Sequence, residues 1–567
     1  MQQISSRLRG AVLLCSLVQH GAHGQSQAEI ATQQIQRQQQ KQRAQNEQAE
    51  EQRPAVRLPR EPVQAAAGYP LNETPCFPIR HIALQGDQAA RFAWALGAAA
   101  DAAGLCLGSG GVNAVIGKVQ NALIAAGYVT TRVLAAPQDL RGGELQLVLV
   151  PGRIRAIRYA APAAGASNDR ASWRTALPAR PGDLLNLRDI EQALENLKRV
   201  PTAEADIEIV PGEQPGESDL LIKWRQALPV RLSLSADDSG SDSTGKYQGG
   251  ATLSLDNLLG WQELAYVSVT RDLSGLGAGR DHGTRNYALH YSMPAGYWLF
   301  SLNASRYRYY QGIAGANQTY VYSGTSGNLE FKAARVLYRD AARKTTVSLR
   351  LYRRRSNNFI DDTEVQVQRR QMGGHELGLS HKEFLGDATL DANLLYKRGS
   401  HLFGTLPAPE EQFDDGTARP TIVNADATLT LPFALSSARL QYQANWRAQW
   451  NRSTLIPQDR FAIGGRYTVR GFDGEASLSA ERGWLLRNDL GWSINERTQL
   501  YLGLDYGQVA GPHAAALAGT SLAGGALGWR GQFGGAQIDL FIGRPIRKPE
   551  HFRTAPNAGG FNVNYQY

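Results

Sequence analysis

The sequence predicts a transmembrane β-barrel of about 16 antiparallel strands, preceded by an N-terminal helix and two small α+β modules. Three patterns predict this architecture. Apolar and polar residues alternate from position 228 to 567, and a strand–helix–strand–strand order occurs twice between 73 and 226. Glutamine dominates residues 25–53.

The composition limits the class of protein. Of the 567 residues, 42% are hydrophobic and 20% are charged, so the chain is neither disordered throughout nor a helical membrane protein. The net charge is +9, but the basic residues do not cluster in a helix or a stripe, which argues against a nucleic-acid partner. Three cysteines are too few for a disulfide scaffold or a thiolate metal cluster.

The N-terminus predicts export. Residues 1–24 contain two arginines, a short apolar run and small residues before Gln25, a pattern typical of a secretory signal peptide. An ordinary buried helix is the alternative. Removal of this segment leaves Cys76 and Cys106 in an oxidising compartment. We expect one disulfide, worth about 3–4 kcal/mol, and two buried free thiols are the alternative.

The segment 25–53 predicts a helix whose faces are nearly all polar, because glutamine and charged residues are good helix formers. A conventional core cannot accept such a helix. It is therefore expected to be solvated or to thread through a polar cavity, and disorder is an equal alternative. Prolines then mark residues 54–72 as an extended linker.

Two modules of similar element order follow. The first, residues 73–151, is expected to contain a strand, two helices and two strands, over 79–84, 89–103, 112–123, 128–134 and 144–150. The second, residues 152–226, repeats a strand, a helix and two strands. Either Asp183 or Asn186 can cap the start of its helix. The repeated order indicates a degenerate internal repeat.

Residues 228–567 lose helical periodicity and alternate between apolar and polar side chains, as in Leu440–Trp450 and Phe561–Tyr567. A soluble β-sandwich also alternates. Segments of about ten residues, aromatic residues near segment ends and a face of Gln, Asn, Ser and Arg favour a membrane barrel with a wet lumen. At roughly 20 residues per strand and turn, this region gives about 16 strands.

The sequence predicts no catalytic motif. Gly240–Lys246 has the spacing of a phosphate-binding loop, but Tyr247 replaces the required hydroxyl residue and strands flank the segment, so we expect a hairpin loop. The histidines are scattered without metal-ligand spacing. We predict no enzyme activity, no cofactor and no metal site; a hydrolase with a spatially assembled Ser/His pair is the alternative.

One glycine-rich segment differs from the rest of the barrel. Gly464–Gly474 contains four glycines, two arginines and two aromatic residues between strand-like segments. Further on, Asp505 alternates with leucines and is therefore expected to face the lumen, where Gly503 and Gly507 flank it. The glycines leave room beside the lumenal carboxylate, which favours a cationic partner there. A solvated carboxylate is the alternative.

These residues resemble a known family. Val469, Arg470, Gly471 and Phe472 resemble the signature of the outer-membrane transporters of two-partner secretion, and Gly503–Gly507 resembles their strand motif. Other segments are similar to the haemolysin secretion/activation branch (TpsB; ShlB/FhaC/HecB). These are Pro75–Ile79, Gly127–Val133, Asn186–Gln192, Asn196–Pro201, and Asp237–Gly240 with Thr244–Gln248.

The resemblance implies an N-terminal plug helix, two periplasmic POTRA domains and a barrel in the outer membrane of a Gram-negative bacterium. It implies three partners: a secreted TpsA-type exoprotein with an N-terminal secretion domain, the outer-membrane lipid and the barrel-assembly machinery. Phe561, Tyr565 and Tyr567 would form a C-terminal assembly signal. A haemolysin, an adhesin and a contact-dependent toxin are all compatible clients. A barrel-assembly insertase of the same superfamily is the alternative function.

The resemblance also implies that the loop carrying Arg470 enters the lumen and pairs with Asp505. In a wet lumen, such a pair is expected to contribute about 1 kcal/mol. No nucleotide-binding motif is predicted, so folding of the exoprotein outside the cell is the expected source of energy.

Overall fold

The computed structural model describes residues 27–51, 55–58, 68–70, 72–160, 172–273 and 282–567. The predicted signal peptide, 1–24, lies outside the described residues, and the predicted linker, 54–72, is described only in part. The described chain starts with helix α1, Gln27–Glu51, within the helix predicted over 25–53. No helix among the described residues is both long and apolar enough to cross a membrane.

The first α+β module packs a long helix against a three-stranded sheet. Its elements are β1 (Phe77–Pro78), β2 (His81–Gln85), α2 (Ala89–Phe92), β3 (Cys106–Leu107), α3 (Ser109–Ala125), β4 (Arg132–Leu134) and β5 (Glu144–Val150). Strand β5 lies between β2, which is parallel to it, and β4, which is antiparallel. Val115, Val119 and Leu123 of α3 form the core with Leu145 and Leu147 of β5.

Two elements of this module differ from the sequence prediction. The helix predicted over 89–103 is a single turn, α2, followed by a 3-10 helix, Ala93–Ala102. Its first turn has no capping side chain, and it contains Gly97, which is a poor helix former. The strand predicted over 128–134 begins only at Arg132, because a turn closed by the Thr131 N–H and the Tyr128 carbonyl precedes it.

The carboxylate of Glu73 caps the start of α3. It accepts the backbone N–H groups of Gly108, Gly110 and Gly111 at 2.8, 2.6 and 2.8 Å. These bonds, that of Gly111 foremost, hold the pKa of Glu73 below its ordinary value. The helix thus begins at a fixed point although its first three residues include two glycines.

We expect Cys106→Ser to destabilise the first module. Cys76 and Cys106 form a disulfide, with Cα atoms 5.3 Å apart and 30 positions between them in sequence. Loss of a cross-link over a loop of this length should lower the free energy of unfolding by about 3–4 kcal/mol. Pulse proteolysis of the module across a guanidinium series measures this change, with reduced wild-type protein as the control. Equal midpoints for oxidised wild type and variant would contradict it.

The second module has the same sheet order as the first. Its elements are β6 (Arg153–Tyr159), α4 (Trp173–Ala176), α5 (Leu187–Lys198), β7 (Ala203–Pro211) and β8 (Glu217–Gln226). Strand β8 lies between the parallel β6 and the antiparallel β7. Of the two candidate caps, Asn186 begins α5, since its side-chain oxygen accepts the Arg188 N–H at 2.8 Å.

A closed antiparallel barrel follows and confirms the predicted fold class; its wall has 16 long strands. The strands of this region are β9 (Val230–Asp237), β10 (Gln248–Asp256), β11 (Leu264–Asp272), β12 (His282–Ala295), β13 (Trp298–Ala314), β14 (Thr319–Arg339), β15 (Arg343–Ile360), β16 (Thr363–Glu364), β17 (Arg370–Leu385), β18 (Ala388–Ser400), β19 (Thr421–Leu435), β20 (Ala438–Asn451), β21 (Phe461–Ile463), β22 (Leu478–Ala480), β23 (Arg482–Asn495), β24 (Thr498–Ala510), β25 (Ser521–Phe533), β26 (Ala536–Arg547) and β27 (Ala558–Gln566). The two-residue β16 only extends a hairpin, and β21 pairs with β22 apart from the wall. Strand β27 pairs with β9 and closes the barrel.

The barrel presents apolar side chains on its outer surface. On neighbouring strands β13 and β14, Leu302 lies opposite Phe331, and Ala304 lies opposite Leu329. Leu302, Phe331 and Leu329 are 37%, 44% and 47% exposed. We call the end of the barrel that faces the modules the proximal rim, which includes the turns at 296–297 and 340–342, and the other end the distal rim.

Candidate functional site

The connection between β20 and β23, residues 452–481, folds back into the barrel, and we call it the lumenal loop. It contains the β21–β22 hairpin and the predicted motif Val469–Phe472. Val469 and Phe472 are 0% and 2% exposed. They pack into an apolar cluster that joins the loop to the barrel wall and includes Ile463, Leu478, Leu485, Val509, Leu522 and Phe552. This packing anchors the loop inside the barrel.

The Arg470 side chain meets two carboxylates on the wall. Its Nε and one terminal nitrogen donate to the two oxygens of Asp505, both at 2.7 Å, and its backbone N–H donates to the same carboxylate at 2.9 Å. The other terminal nitrogen lies 2.6 Å from an oxygen of Asp489. Paired hydrogen bonds of this kind define orientation as well as distance, so they fix how the loop sits on the wall.

The surroundings of this pair are drier than the sequence predicted. Arg470 and Asp505 are only 3% and 4% exposed, because the lumenal loop covers this part of the wall. The expected contribution of about 1 kcal/mol assumed a solvated pair, and the structure shows a buried one. Removing one member of a buried pair costs about 3–5 kcal/mol, since the other charge remains without compensation.

The glycines predicted on β24 make room for the loop. A Cβ added at Gly503 would lie 2.6 Å from a terminal nitrogen of Arg470, and one at Gly507 would lie 2.9 Å from Val469 Cγ2. Both distances are shorter than normal contacts, so a side chain at either position would displace Arg470 or Val469 of the docked loop.

Three further residues of the site were missed in the sequence analysis. Asp489 on β23 supplies the second carboxylate to Arg470. Its lumenal position follows from the alternation of β23, where Asp489 lies opposite Gly503. Gly524 and Gly543 contact the motif from β25 and β26: a Cβ at Gly524 would overlap the Arg470 carbonyl oxygen, and one at Gly543 would lie 2.9 Å from Gly471 Cα. No local signal marks these two glycines, because the contact joins neighbouring wall strands to a loop that is distant in sequence.

Helix α1 lies inside the barrel against the lumenal loop. The Gln36 side chain donates to the Pro457 carbonyl at 2.7 Å and to the Ser479 hydroxyl at 3.1 Å. Arg37 donates to the Gly474 carbonyl at 2.5 Å. The helix and the loop are therefore coupled through hydrogen bonds to the loop backbone.

Helix α1 also contacts the first barrel strand and the turn that follows it. Lys41 Nζ lies 2.9 Å from the Asp237 carboxylate, and the Gln34 amide donates to Ser241 Oγ at 2.8 Å. Ala31 packs among buried tyrosines of β13 and β14. Most of the contacts that hold α1 are polar, which explains why a helix without an apolar face is stable at this position.

The segment with phosphate-loop spacing is a hairpin turn. Ser241 and Gly245 form an isolated bridge between β9 and β10, and a strand rather than a helix follows. In the part of the chain that the structure describes, no group of three or more His, Cys, Asp or Glu side chains is placed to hold a metal ion.

A buried ionic network joins the second module to the proximal rim. Arg339, the last residue of β14, donates to Glu191 at 3.2 Å and to Glu195 at 2.9 Å, both on α5. Lys344 lies across the turn, 2.5 Å from Glu195. The Arg339 and Glu191 side chains are 5% and 1% exposed. Because these charges lie out of water, they define one orientation of α5 against the barrel.

Residues 55–58 of the linker run through this network. The Val56 N–H donates to Glu195 at 3.2 Å, and the Leu58 N–H donates to Glu191 at 3.0 Å. The Val56 carbonyl accepts a hydrogen bond from Arg339 at 2.7 Å. Residues 55–58 are thus clamped between the second module and the barrel, close to the turn that follows β14.

The network depends on the ionised form of Glu195. Burial raises the pKa of this carboxyl, but the charges of Lys344 and Arg339 outweigh burial, and the pKa lies below its ordinary value. A lowered folded-state pKa stabilises the junction at pH values above the ordinary carboxyl range. This contribution is lost as the pH falls through the folded-state pKa.

We expect Arg339→Ala to loosen the junction between the second module and the barrel. The change leaves Glu191 and Glu195 buried with less compensation, at a cost of about 3–5 kcal/mol. The rate of limited proteolysis in residues 55–58 measures the opening, and it should rise at least about tenfold. Arg343→Ala is the matched control, because Arg343 makes a half-exposed ion pair with Glu383 that contributes little. Equal cleavage rates in both variants would contradict the role of the network.

The predicted assembly signal lies in the closing strand. Asn562–Gln566 pair with β9, and the Tyr567 N–H donates to a β9 carbonyl at 2.9 Å. Tyr565 and Tyr567 are 41% and 86% exposed at the proximal rim. Phe561 stacks on Tyr247, with ring centroids 6.2 Å apart.

Comparison with protein families identifies the two α+β modules and the barrel region. Residues 216–531 match the haemolysin secretion/activation protein family ShlB/FhaC/HecB. Residues 77–152 match the ShlB-type POTRA domain, and residues 153–211 match a POTRA domain. The two α+β modules are therefore POTRA domains.

Comparison with individual proteins agrees over nearly the whole chain. The chain is 36% identical to outer membrane transporter CdiB-2 of Burkholderia pseudomallei (strain 1026b), over 92% of this chain and 93% of the relative. It is 27% identical to hemolysin transporter protein ShlB of Serratia marcescens, over 86% and 85%. The solved structure of CdiB from Acinetobacter baumannii superimposes with a TM-score of 0.83 at 29% identity, covering 95% of this chain and 99% of that one.

The family assignment orients the molecule. POTRA domains of these transporters lie in the periplasm, so the proximal rim is periplasmic and the distal rim faces outward. The assignment also favours the transporter over the barrel-assembly insertase. The chain belongs to the ShlB/FhaC/HecB family of haemolysin secretion/activation proteins and is an outer-membrane transporter of two-partner secretion.

Proposed function

We propose that this transporter recognises one unfolded exoprotein in the periplasm through its POTRA domains and passes it, extended, through the barrel without ATP. The client is a TpsA-type protein with an N-terminal secretion domain, of the haemolysin, adhesin or contact-dependent toxin kind. The proposal rests on one observation. A polar helix and a folded-back loop occupy the barrel lumen, and the two modules at the proximal rim have sheets with edge strands.

Strand β7 of the second POTRA domain is the best-suited edge for the client. It is nine residues long and lies at the edge of its sheet, where its outer side has no strand partner among the described residues. An extended chain can add to such an edge through backbone hydrogen bonds, which do not require a specific sequence. The edge strand β4 of the first domain is less suited, because it has three residues and Gln120 already accepts the Val133 N–H at 3.0 Å.

Passage requires helix α1 to leave the lumen. Its contacts there are hydrogen bonds and ion pairs, such as Lys41 with Asp237 and Gln36 with Ser479. Water can replace such partners when the helix leaves, so each costs about 1 kcal/mol rather than the larger cost of exposing an apolar core. The helix is therefore suited to act as a removable plug, and folding of the client outside supplies the direction.

The membrane and the barrel-assembly machinery complete the set of partners. The exposed apolar surface of the barrel suits the hydrocarbon layer of the outer membrane. The closing strand, with Phe561, Tyr565 and Tyr567, is suited to recognition by the assembly machinery before β27 and β9 pair.

Site-specific photo-crosslinking tests the recognition step. A crosslinker at Asp206, exposed on β7, should capture an export-arrested client at least about fivefold more than one at Arg132, exposed on β4. Both positions carry exposed side chains on edge strands. The comparison therefore controls for crosslinking that reflects only the closeness of the client to the POTRA domains. Successful export without crosslinking at Asp206 would contradict recognition through this edge.

A further inference from the structure

A cavity of about 430 Å³ lies where both POTRA domains meet the periplasmic rim of the barrel. The first domain contributes Arg91 and Tyr128, and the second contributes Asn186, Arg188 and Asp189 at the start of α5. The end of β14 and the turn before β13 complete the wall, with Arg335, Tyr338, Arg339 and Tyr297. Neither the lumenal loop nor helix α1 lines this cavity, so the cavity is separate from the site in the barrel lumen.

The cavity has an excess of positive charge. Arg91 and Arg335 form no ion pair or side-chain hydrogen bond with any described residue. Arg188 is 8% exposed; one of its terminal nitrogens binds Glu191, and its Nε is buried without a hydrogen-bond partner in the described part of the chain. Burying a guanidinium with an unpaired nitrogen is costly, and an anion in the cavity would compensate its positive charge.

The cavity opens at the level of the membrane interface. Arg335 lies opposite Trp298 on the outer face of the barrel, and its guanidinium stands 5.3 Å from the Trp298 ring centre. Leu337 and Tyr338, farther along the same strand, are 59% and 50% exposed. Tryptophan, tyrosine and arginine in this arrangement are typical of the head-group region, where a long basic side chain reaches from apolar surface to phosphate.

The one carboxylate that lines the cavity is already engaged. Asp189 accepts a hydrogen bond from the Tyr297 hydroxyl at 2.6 Å. Burial raises the pKa of Asp189 above its ordinary value, although the positive charge of Arg91 opposes this shift. Arg339 also faces the cavity, but it is held by Glu191 and Glu195. The groups left to meet a ligand are therefore Arg91, Arg188 and Arg335.

We propose that this cavity binds the phosphate group of an anionic phospholipid from the periplasmic leaflet of the outer membrane. The acyl chains would lie along the apolar outer face beside Trp298 and Leu337, and the phosphate would meet arginines from both POTRA domains and the barrel. One lipid would thereby fix the angle of the POTRA domains to the membrane plane. The inference rests on the outer-membrane location and is independent of the identity of the client.

Native mass spectrometry of the full-length transporter, released from nanodiscs of mixed phosphatidylglycerol and phosphatidylcholine, tests the proposal. Wild type should retain one phosphatidylglycerol molecule in preference to phosphatidylcholine. The double variant Arg91→Gln, Arg335→Gln should lower that retention at least about tenfold, because two charge-assisted contacts are lost. Arg497→Gln, at an exposed periplasmic turn away from the cavity, should retain the lipid as wild type does.

A second measurement separates the lipid from free phosphate and from misfolding. Dihexanoyl-phosphatidylglycerol should raise the melting temperature of the wild type but not of the double variant, and inorganic phosphate at the same concentration should have a smaller effect. The single variant Arg91→Gln alters only a POTRA surface residue. Its retention of phosphatidylglycerol should be reduced, and this result tests the proposal even if the double variant fails to fold. Equal retention by wild type and Arg91→Gln, equal retention of both lipids, or equal stabilisation by phosphate would overturn the proposal.

Discussion

Export of the exoprotein is expected to fall at least about tenfold when Arg470 is replaced by alanine, while the barrel remains folded. The variant leaves Asp505 and Asp489 with weaker compensation, from Arg487 at 3.9 Å and Arg530 at 3.5 Å, and removes the hydrogen bonds that orient the lumenal loop. The apolar contacts of Val469 and Phe472 remain, so the loop stays in the lumen but loses its fixed position. The wall itself keeps all its backbone hydrogen bonds, because Arg470 lies outside the wall strands.

The measurement compares client in the medium with client in the periplasm, and gel mobility of unheated samples reports barrel folding. Arg482→Ala is the matched control, since Arg482 is exposed at the distal end of the adjacent strand β23. Export at the wild-type level from Arg470→Ala would show that the buried ion pair is not needed for transport.

Gly524→Ala is expected to reduce export to a similar degree with every charged group retained. The added Cβ would overlap the carbonyl oxygen of Arg470. Backbone cannot move aside as a flexible side chain can, so the loop must shift away from β25. The bonds of Arg470 to Asp505 would then be strained or broken, although both residues are present. The same secretion assay, with loop position followed by crosslinking between cysteines at Gly465 and the wall, measures the effect.

Gly327→Ala provides the control for Gly524→Ala. Gly327 also lies on a long wall strand, β14, but the nearest atom to its added Cβ is 3.8 Å away, an ordinary contact distance. This variant should export normally. Equal loss in the two variants would mean that any glycine substitution in the wall disturbs the barrel, and that docking of the loop is not the cause.

The fold was predictable because its signals are periodic and local. Two-residue alternation predicts half-buried strands, and strand length together with a polar second face distinguishes a membrane barrel from a sandwich. The order of elements was sufficient to predict two similar modules, and both have the same sheet order. The segment predicted as helical over 89–103 is helical, but most of it is a 3-10 helix, because composition alone does not show that its first turn lacks a cap.

The functional site was predictable only in part. Composition marked the glycine-rich segment and alternation placed Asp505 in the lumen, and the resemblance then identified the motif Val469–Phe472. Gly524 and Gly543 depend instead on which strands meet the loop in three dimensions. The burial of Arg470 also escaped prediction, because alternation shows that a residue faces the lumen but not whether a loop covers it. The network of Arg339 with Glu191 and Glu195 joins distant segments, and nothing in local sequence marks it.

Co-expression of this chain with the large exoprotein encoded beside it tests the central claim most directly. Blots of medium and periplasm should show the client in the medium only when the wild-type transporter is present, and in the periplasm when Arg470→Ala replaces it. Levels of unrelated outer-membrane barrels should be the same in both strains. Client retained in the periplasm with the wild-type chain, together with loss of unrelated barrels when the chain is depleted, would contradict the transporter account.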